Sequence, residues 1–398
     1  MLRKIKNMKR FKITYLMMLC LGLISSVKAQ YTLAELLDLA EKSHPSMMVA
    51  REQLSFTEQS ENAGKLAPLS RVTGALGNIQ NPGDVDYSLS FEQEIINPAK
   101  NQAIVGVNQS NIMLRKAELT QTMVNVKQQV RDYYYQLDFI DQQRQLYQKQ
   151  IDTYKSISKI ARARSNSGDT DQMEALSAES QLHKAEQQLI YSQKKYEIEL
   201  RHLGALLKLD YLSLDFTNLQ AYAEADWQQN PALQVLDAYK TKAEKELILS
   251  ESGLKPNFHV GLTNQSFLRS WNNFYLGGGV SIPLFNKNIK NDIESKRIYQ
   301  KVVDTQIASQ QQQLESSYNQ LNNARLSLQQ MMQFYKDKSI PEAEELLEKA
   351  TIRYNAGELT YEAFYQWHLM LINLEQELTN YRYEYHQTLA ALASLGGK

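Results

Sequence analysis

The chain has 398 residues, 44 Lys+Arg against 44 Asp+Glu, 16 Gly, 8 Pro and one cysteine. Few helix breakers among many Ala, Leu, Gln, Glu and Lys read as long helices, and the lone Cys20 excludes a disulfide framework and a cysteine-ligated metal site. Residues 1–29 hold seven bases and no acid, so the remainder carries 37 bases against 44 acids, a net −7 that argues against a basic nucleic-acid-binding face.

The amino terminus runs from Arg3, Lys4, Lys6, Lys9, Arg10 and Lys12 through the apolar stretch Ile13 to Ile24 to Val27-Lys28-Ala29. This pattern predicts a signal peptide over 1–29, cleaved after Ala29. An apolar run of about 12 residues is too short to span a bilayer of about 30 Å. Leu19 is too large for a lipoprotein cleavage site before Cys20. No later stretch approaches 18 consecutive apolar residues.

A first unit is expected over 30–209. Leu33, Leu36, Leu37 and Ala40 have helical spacing with Thr32 as cap, Pro45 interrupts, and a second helix runs to about Lys65. A β-hairpin follows at about 68–95: Asn81-Pro82-Gly83-Asp84 signals a turn, and Tyr87, Leu89 and Phe91 alternate with Ser88, Ser90 and Glu92. A long helix over about 97–167 comes next, roughly 105 Å at 1.5 Å per residue. Past a turn at Gly168, a return helix over 169–209 repeats Ala175, Leu182, Leu189, Tyr196 and Leu203 every seven residues, with small Ala178, Ala185 and Ser192 three residues later.

After a linker at 210–229 the order restarts over 230–398. Asn230-Pro231 echoes His44-Pro45, and Leu254-Lys255-Pro256 echoes Leu66-Ala67-Pro68. A second β-hairpin is expected at about 257–285, with a turn around Arg269 to Asn273, then a long helix over about 288–355 and a return helix over 358–396. Both arms of this second helical hairpin carry heptads: Ile307, Leu314, Leu321, Leu328 and Tyr335 before the second turn, and Phe364, Leu371, Leu378, Tyr385 and Leu392 after it, with Trp367, Leu374, Tyr381 and Leu395 on the same seam. The second turn, Tyr354-Asn355-Ala356-Gly357-Glu358, stands 189 residues after the first, a duplication.

Four strands of about ten residues are long enough to cross a bilayer when tilted. Open sheet edges cannot face lipid and the smallest barrels need about eight strands, so one chain cannot close a barrel alone. Two chains would pool eight strands and three would pool twelve; twelve suits a conduit better, because a barrel of about eight is filled by its own side chains.

The doubled order, the Tyr354-x-x-Gly357 turn, its Pro341-Glu342-Ala343-Glu344 approach and Ser90-Phe91-Glu92-Gln93-Glu94-Ile95 resemble the TolC family of outer-membrane efflux proteins over about residues 31–398. Glu92 to Lys100 and the compact length lean toward its CzcC/CusC-type heavy-metal branch. The resemblance implies a mainly α fold with a small β part: a TolC-like duplicated unit of coiled-coil helical hairpins, with two β-hairpins that complete a 12-stranded outer-membrane barrel in a homotrimer. It implies a duct for tripartite efflux of heavy-metal cations or drugs, set in the outer membrane with a long periplasmic extension. Its partners are then outer-membrane lipid, a periplasmic adaptor (membrane fusion) protein and an inner-membrane RND-type pump.

Tyr354 and Gly357 match the family's gate turn, and Gly168 with Asp171 matches the first-repeat turn. The family's arginine two residues after the glycine is Leu359 here, and its aspartate ring falls on Ala363 and Gln366. Asp169, Asp171, Glu358 and Glu362 are the acids placed to form a constriction instead.

Other chemistry is weakly signalled. His202 follows Glu199 by three residues and His183 follows Glu179 by four, spacings that share a helical face, but no third ligand is spaced for a metal. No nucleophile with a base and no cofactor fingerprint is present, so the chain reads as a non-enzyme without a cofactor. A soluble periplasmic coiled-coil adaptor and a type I secretion duct are the alternative readings.

Overall fold

The computed structural model describes residues 30–63, 70–77, 85–95, 97–217, 225–267 and 270–398. Its elements are α1 (Leu33–Ser43), α2 (Pro45–Ala63), β1 (Arg71–Gly77), β2 (Asp86–Ile95), α3 (Pro98–Ser167), α4 (Gln172–Leu207), α5 (Pro231–Ser252), β3 (Asn257–Phe267), β4 (Ser270–Ser281), α6 (Lys287–Phe334), α7 (Ile340–Asn355) and α8 (Tyr361–Leu395). The signal-peptide segment and the Asn81 to Asp84 turn lie outside the described residues. Among the described residues, no helix is long and apolar enough to cross a membrane.

Local chemistry sets the helix starts. Thr32 opens α1 with a reciprocal cap: its hydroxyl accepts the Glu35 amide at 3.4 Å while the Glu35 carboxylate accepts the Thr32 amide at 2.8 Å. The repeated X-Pro pairs do the same work twice. His44 Nδ1 accepts the Ser46 amide at 3.2 Å before α2, and Asn230 Oδ1 accepts the Ala232 amide at 2.9 Å before α5, each with proline pre-set for the first turn. Helix α3 then runs 70 residues without an internal proline.

The second long helix differs from expectation. It breaks into α6 and α7 around a π-helical turn at Tyr335–Ser339. Pro341 lacks an amide donor and its ring crowds the carbonyl four residues back, so the backbone widens there rather than continuing. Tyr335 anchors the widened turn by donating to Glu377 and packing edge-on against Tyr381 at 5.3 Å.

The chain forms two compact units. One comprises α1, α3 from Val130, α4, the linker pairing and residues 335–383. Within it Tyr31 pairs in parallel with Leu214, and the Tyr134 hydroxyl donates to the Asp215 carbonyl, which ties the linker down. The other unit comprises α2, the start of α3, the sheet, α5, α6 and the end of α8.

The sheet is antiparallel throughout, in the order β1-β2-β3-β4. Strand β4 begins at Ser270, so Ser270 to Asn273 belongs to a strand rather than to the expected turn. Register sorts the side chains cleanly. Val72, Phe91, Leu262 and Leu276 stand in one cross-strand row, and Ile95, Phe258 and Val280 in another, all on one face. Because side chains alternate, the opposite face receives Thr73, Ser90, Thr263 and Tyr275. The apolar face is bare: Leu276 is 85% and Val72 66% exposed. Among the described residues, β1 and β4 have no strand paired along their outer edges.

Candidate functional site: the paired helical tips

Both tips are built by the same local rule. At the end of α3 the Gly168 amide donates to Ser165 O at 3.1 Å and the Asp169 amide to Arg164 O at 2.9 Å. At the end of α7 the Gly357 amide donates to Tyr354 O at 3.1 Å and the Glu358 amide to Arg353 O at 2.9 Å. This pair of bonds is the Schellman motif, and it places each glycine in the left-handed region, at φ 82° and 77°. Only glycine adopts that conformation without a steric penalty.

The acids at the tips act locally. Asp169 accepts a hydrogen bond from the Ser167 hydroxyl at 2.7 Å, and Asp171 caps α4 by accepting the Met173 amide at 3.2 Å. Glu358 lies 3.7 Å from Arg353, and Glu362 is exposed in the first turn of α8. No ion pair or hydrogen bond joins any two of these four acids among the described residues.

Tyr354 is the packing centre. It is 1% exposed, stacked on Phe364 with ring centroids 4.7 Å apart and planes 8° from parallel. Around it, Ile151, Tyr154 and Ile157 of α3, Ala178 and Ala185 of α4, Ala350 of α7 and Tyr361 and Ile372 of α8 form one buried cluster. The alanines let α4 approach closely, as their heptad positions predict. Leu359, where the resemblance expects an arginine, packs against this cluster as a hydrophobe.

The guanidinium at this tip comes instead from the other repeat. Arg164 Nη1 donates to the Tyr354 carbonyl at 3.3 Å, and the guanidinium carbon lies 5.0 Å from the Tyr354 ring centroid. That carbonyl, which also accepts the Gly357 amide, is among the last of α7, where the helix dipole is negative, so Arg164 is a second, cationic donor there. Ion pairs also join α3 to its neighbours, among them Arg162 to Glu179 of α4 and Lys149 to Glu375 of α8. Sequence reasoning did not single out Arg164, which stands in the last turn of α3, four residues before Gly168.

His368 was also missed. It is 6% exposed, edge-on to Tyr154 at 5.6 Å and parallel to Phe364 at 6.5 Å. Neither ring nitrogen has a hydrogen-bond partner. Burial, with a smaller contribution from the Lys149 charge, pushes its pKa down to about 4. Burial likewise raises the phenols of Tyr354, Tyr361 and Tyr365. The sequence placed Trp367 on the seam, yet Trp367 is 37% exposed and its neighbour His368 takes the interior position. His202 and Glu199 stand 3.5 Å apart, and among the described residues no three potential ligands gather for a metal.

Nothing in the tips resembles a reaction centre.

Comparison with known proteins agrees with this geometry. A model described as outer membrane efflux protein matches residues 36–207 and 225–398, one match on each repeat. Among solved structures, the outer membrane protein VceC from Vibrio cholerae superposes with a TM-score of 0.77 at 15% identity, covering 92% of this chain and 96% of its own. CusC gives 0.77 at 14%, covering 92% of each chain, and the CmeC outer membrane channel of Campylobacter jejuni gives 0.74 at 16%, covering 92% and 85%. No curated protein matches the sequence.

Proposed function

The chain belongs to the outer membrane efflux protein family, outer-membrane channels with a periplasmic helical extension and no catalytic role, and from that premise we propose that it is the exit duct of a tripartite efflux system. The observation that carries this reading is the sheet. Four strands with one bare apolar face and two unpaired edges cannot stand in lipid alone, because unsatisfied backbone groups cost several kcal/mol each there. Three copies would pair β4 of each with β1 of the next, closing twelve strands around a polar lumen.

In this reading the Gly168 and Gly357 turns form the closing end of the periplasmic helical extension. A periplasmic adaptor engages that end and an inner-membrane pump of the RND type supplies the energy. Heavy-metal cations and drugs are the two substrate classes. The face opposite the apolar rows carries Arg71, Glu92, Glu94 and His259 as well as Thr73, Ser90, Thr263 and Tyr275, and this reading assigns the choice between the two classes to the pump. The gate candidates are Tyr354, Gly357 and Gly168 with their linking Arg164, while Asp169, Asp171, Glu358 and Glu362 supply negative charge at the mouth.

Native mass of the chain extracted in detergent from outer membranes tests the assembly. A homotrimer that forms conducting pores in planar bilayers is the expected result. A monomer recovered in the soluble periplasmic fraction would mean that the strands do not meet lipid, and the adaptor reading would replace this one.

A further inference from the structure

Two cavities adjoin within the unit that holds the tips. One, of about 160 Å³, lies between α3, α4 and α8; the other, of about 130 Å³, lies between α3 and α8, and Gln376 lines both. Each has room for one six-membered ring, since a cavity of about 150 Å³ holds a benzene. Equivalent lining positions of the two cavities, Gln150 and Gln143 on α3 and Asn373 and Asn380 on α8, are seven residues apart. The two therefore follow one another along the helices at a spacing of about 10 Å.

The lining is a set of free carboxamides. Helix α4 adds Gln181 and Gln188, again seven residues apart, to the larger cavity. Gln150 is only 8% exposed, yet among the described residues its carboxamide has no hydrogen-bond partner within the chain. The same holds for Gln143, Gln181, Gln188, Asn373, Gln376 and Asn380. A buried amide left unpaired is costly, so Gln150 marks a place where a partner from outside the chain is wanted. Tyr154 and Tyr365 line the larger cavity and Tyr147 the smaller. Among the described residues no carboxylate lines either, and Lys184 stands exposed and without an ion pair beside the larger.

We infer that this trough binds a β-linked glycan of N-acetylated amino sugars, the chemistry of the cell-wall polymer of the periplasm, and so moors the helical extension to the wall. A carboxamide donates two hydrogen bonds and accepts through its oxygen without carrying charge. Its match is a ligand whose groups also donate and accept, the hydroxyl and acetamido groups of such a sugar, whereas a bare cation would find no carboxylate to neutralise it. The tyrosines add flat apolar faces with a polar tip, suited to the C–H face of a sugar ring. Two ring-sized lobes in line fit one extended chain, because two successive rings of a β-linked glycan advance by about the spacing between the cavities. A polypeptide strand repeats every 3.2–3.4 Å and pairs along a continuous edge, which separate lobes do not offer. The inference draws on the periplasmic position of the helices and does not need the trimer.

The test is cosedimentation of the full-length detergent-extracted protein with cell-wall sacculi stripped of their peptides. The parent should sediment with them at low salt and equally at about 1 M salt, where charges are screened within about 3 Å. Chitotetraose should release it, and cellotetraose, which lacks the acetamido groups, should not. Gln150→Leu combined with Gln376→Leu should weaken binding at least tenfold, and Gln188→Leu, half-buried on a different helix, severalfold; Gln187→Leu, exposed and outside the trough, should match the parent. Binding that salt abolishes is adsorption by surface charge and overturns the inference. So does equal release by cellotetraose, binding that survives both trough substitutions, or binding only to sacculi that keep their peptides, which would assign the trough to a peptide. Channel conductance of the same variants in planar bilayers keeps the readings apart: a parent that forms no pore counts against the duct, whereas lost sedimentation with the parent's conductance intact reports on the trough alone.

Discussion

The guanidinium of Arg164, at the end of the first long helix, lies over the ring of Tyr354 and hydrogen-bonds to its carbonyl across 190 residues of sequence. One side chain thereby reaches the end of the helix that leads into the second turn and covers the ring at the centre of the tip's packing. A cation over a tyrosine is worth about 0.5–2 kcal/mol, depending on desolvation. Arg164→Ala should therefore loosen the second tip and raise single-channel open probability. Arg164→Lys should recover only part, because an ammonium lacks the planar fork that stacks and donates together. An open probability identical to the parent's in Arg164→Ala would show that the tips are held by other contacts.

Gly168 and Gly357 carry the left-handed turns, so their replacement has a cost independent of neighbours. A Cβ at Gly168 meets no atom within 4 Å, and at Gly357 only the Arg164 guanidinium at 4.0 Å. Sterically both sites are open, and the penalty for alanine is the backbone's own, about 1–2 kcal/mol each. Gly168→Ala and Gly357→Ala should each increase protease nicking at the tip, measured as cleavage rate of the detergent-extracted protein. Asparagine, which tolerates this conformation better, should fall between.

The helices, the strand alternation and the repeated glycine turn were legible in the sequence because each rests on short-range periodicity. Arg164 was not, since its partners lie 190 residues away and no local period marks them. The π turn hides for a related reason: Leu321, Leu328 and Tyr335 keep their seven-residue spacing up to the break, and only Pro341 betrays it. The seam of α8 was misplaced by one residue at Trp367 because a two-helix heptad buries positions a and d alone. Here α8 is covered by α3, α4 and α7, which extends the buried stripe to Tyr361, Phe364, His368, Leu371 and Ile372.

His368 gives the tip a defined response to acid. Its folded pKa of about 4 lies below the 6.5 of a free imidazole, because burial among Tyr154 and Phe364 penalises the charged ring. Lys149, which faces it from α3 while paired to Glu375, adds a smaller repulsion. As pH falls from about 6.5 to 4 the unfolded chain takes up this proton and the folded one does not, so stability is lost through that window and levels off below it. The full loss is about 3 kcal/mol at roughly 1.4 kcal/mol per pKa unit. His368→Phe, which keeps the aromatic contacts, should flatten melting temperature against pH between 4 and 6.5 when other titrations are matched to the parent. An unchanged slope would place the acid sensitivity elsewhere.

The sheet makes the sharpest distinction between adjacent residues. Leu262 lies between Phe91 and Leu276 on the bare apolar face, whereas Thr263 lies between Ser90 and Tyr275 on the other, with its hydroxyl 3.0 Å from that of Ser90. If the apolar face meets lipid, Leu262→Lys places a charge in hydrocarbon at a cost of about 2–4 kcal/mol near the bilayer midplane. Thr263→Lys faces the lumen and costs far less. Assembly into heat-resistant trimers in the outer-membrane fraction should fall steeply for the first variant and stay near the parent's for the second. Equal yields would mean that neither face meets lipid, and the barrel would have to be abandoned. The reverse order would instead turn the sheet inside out, placing its apolar rows in the lumen.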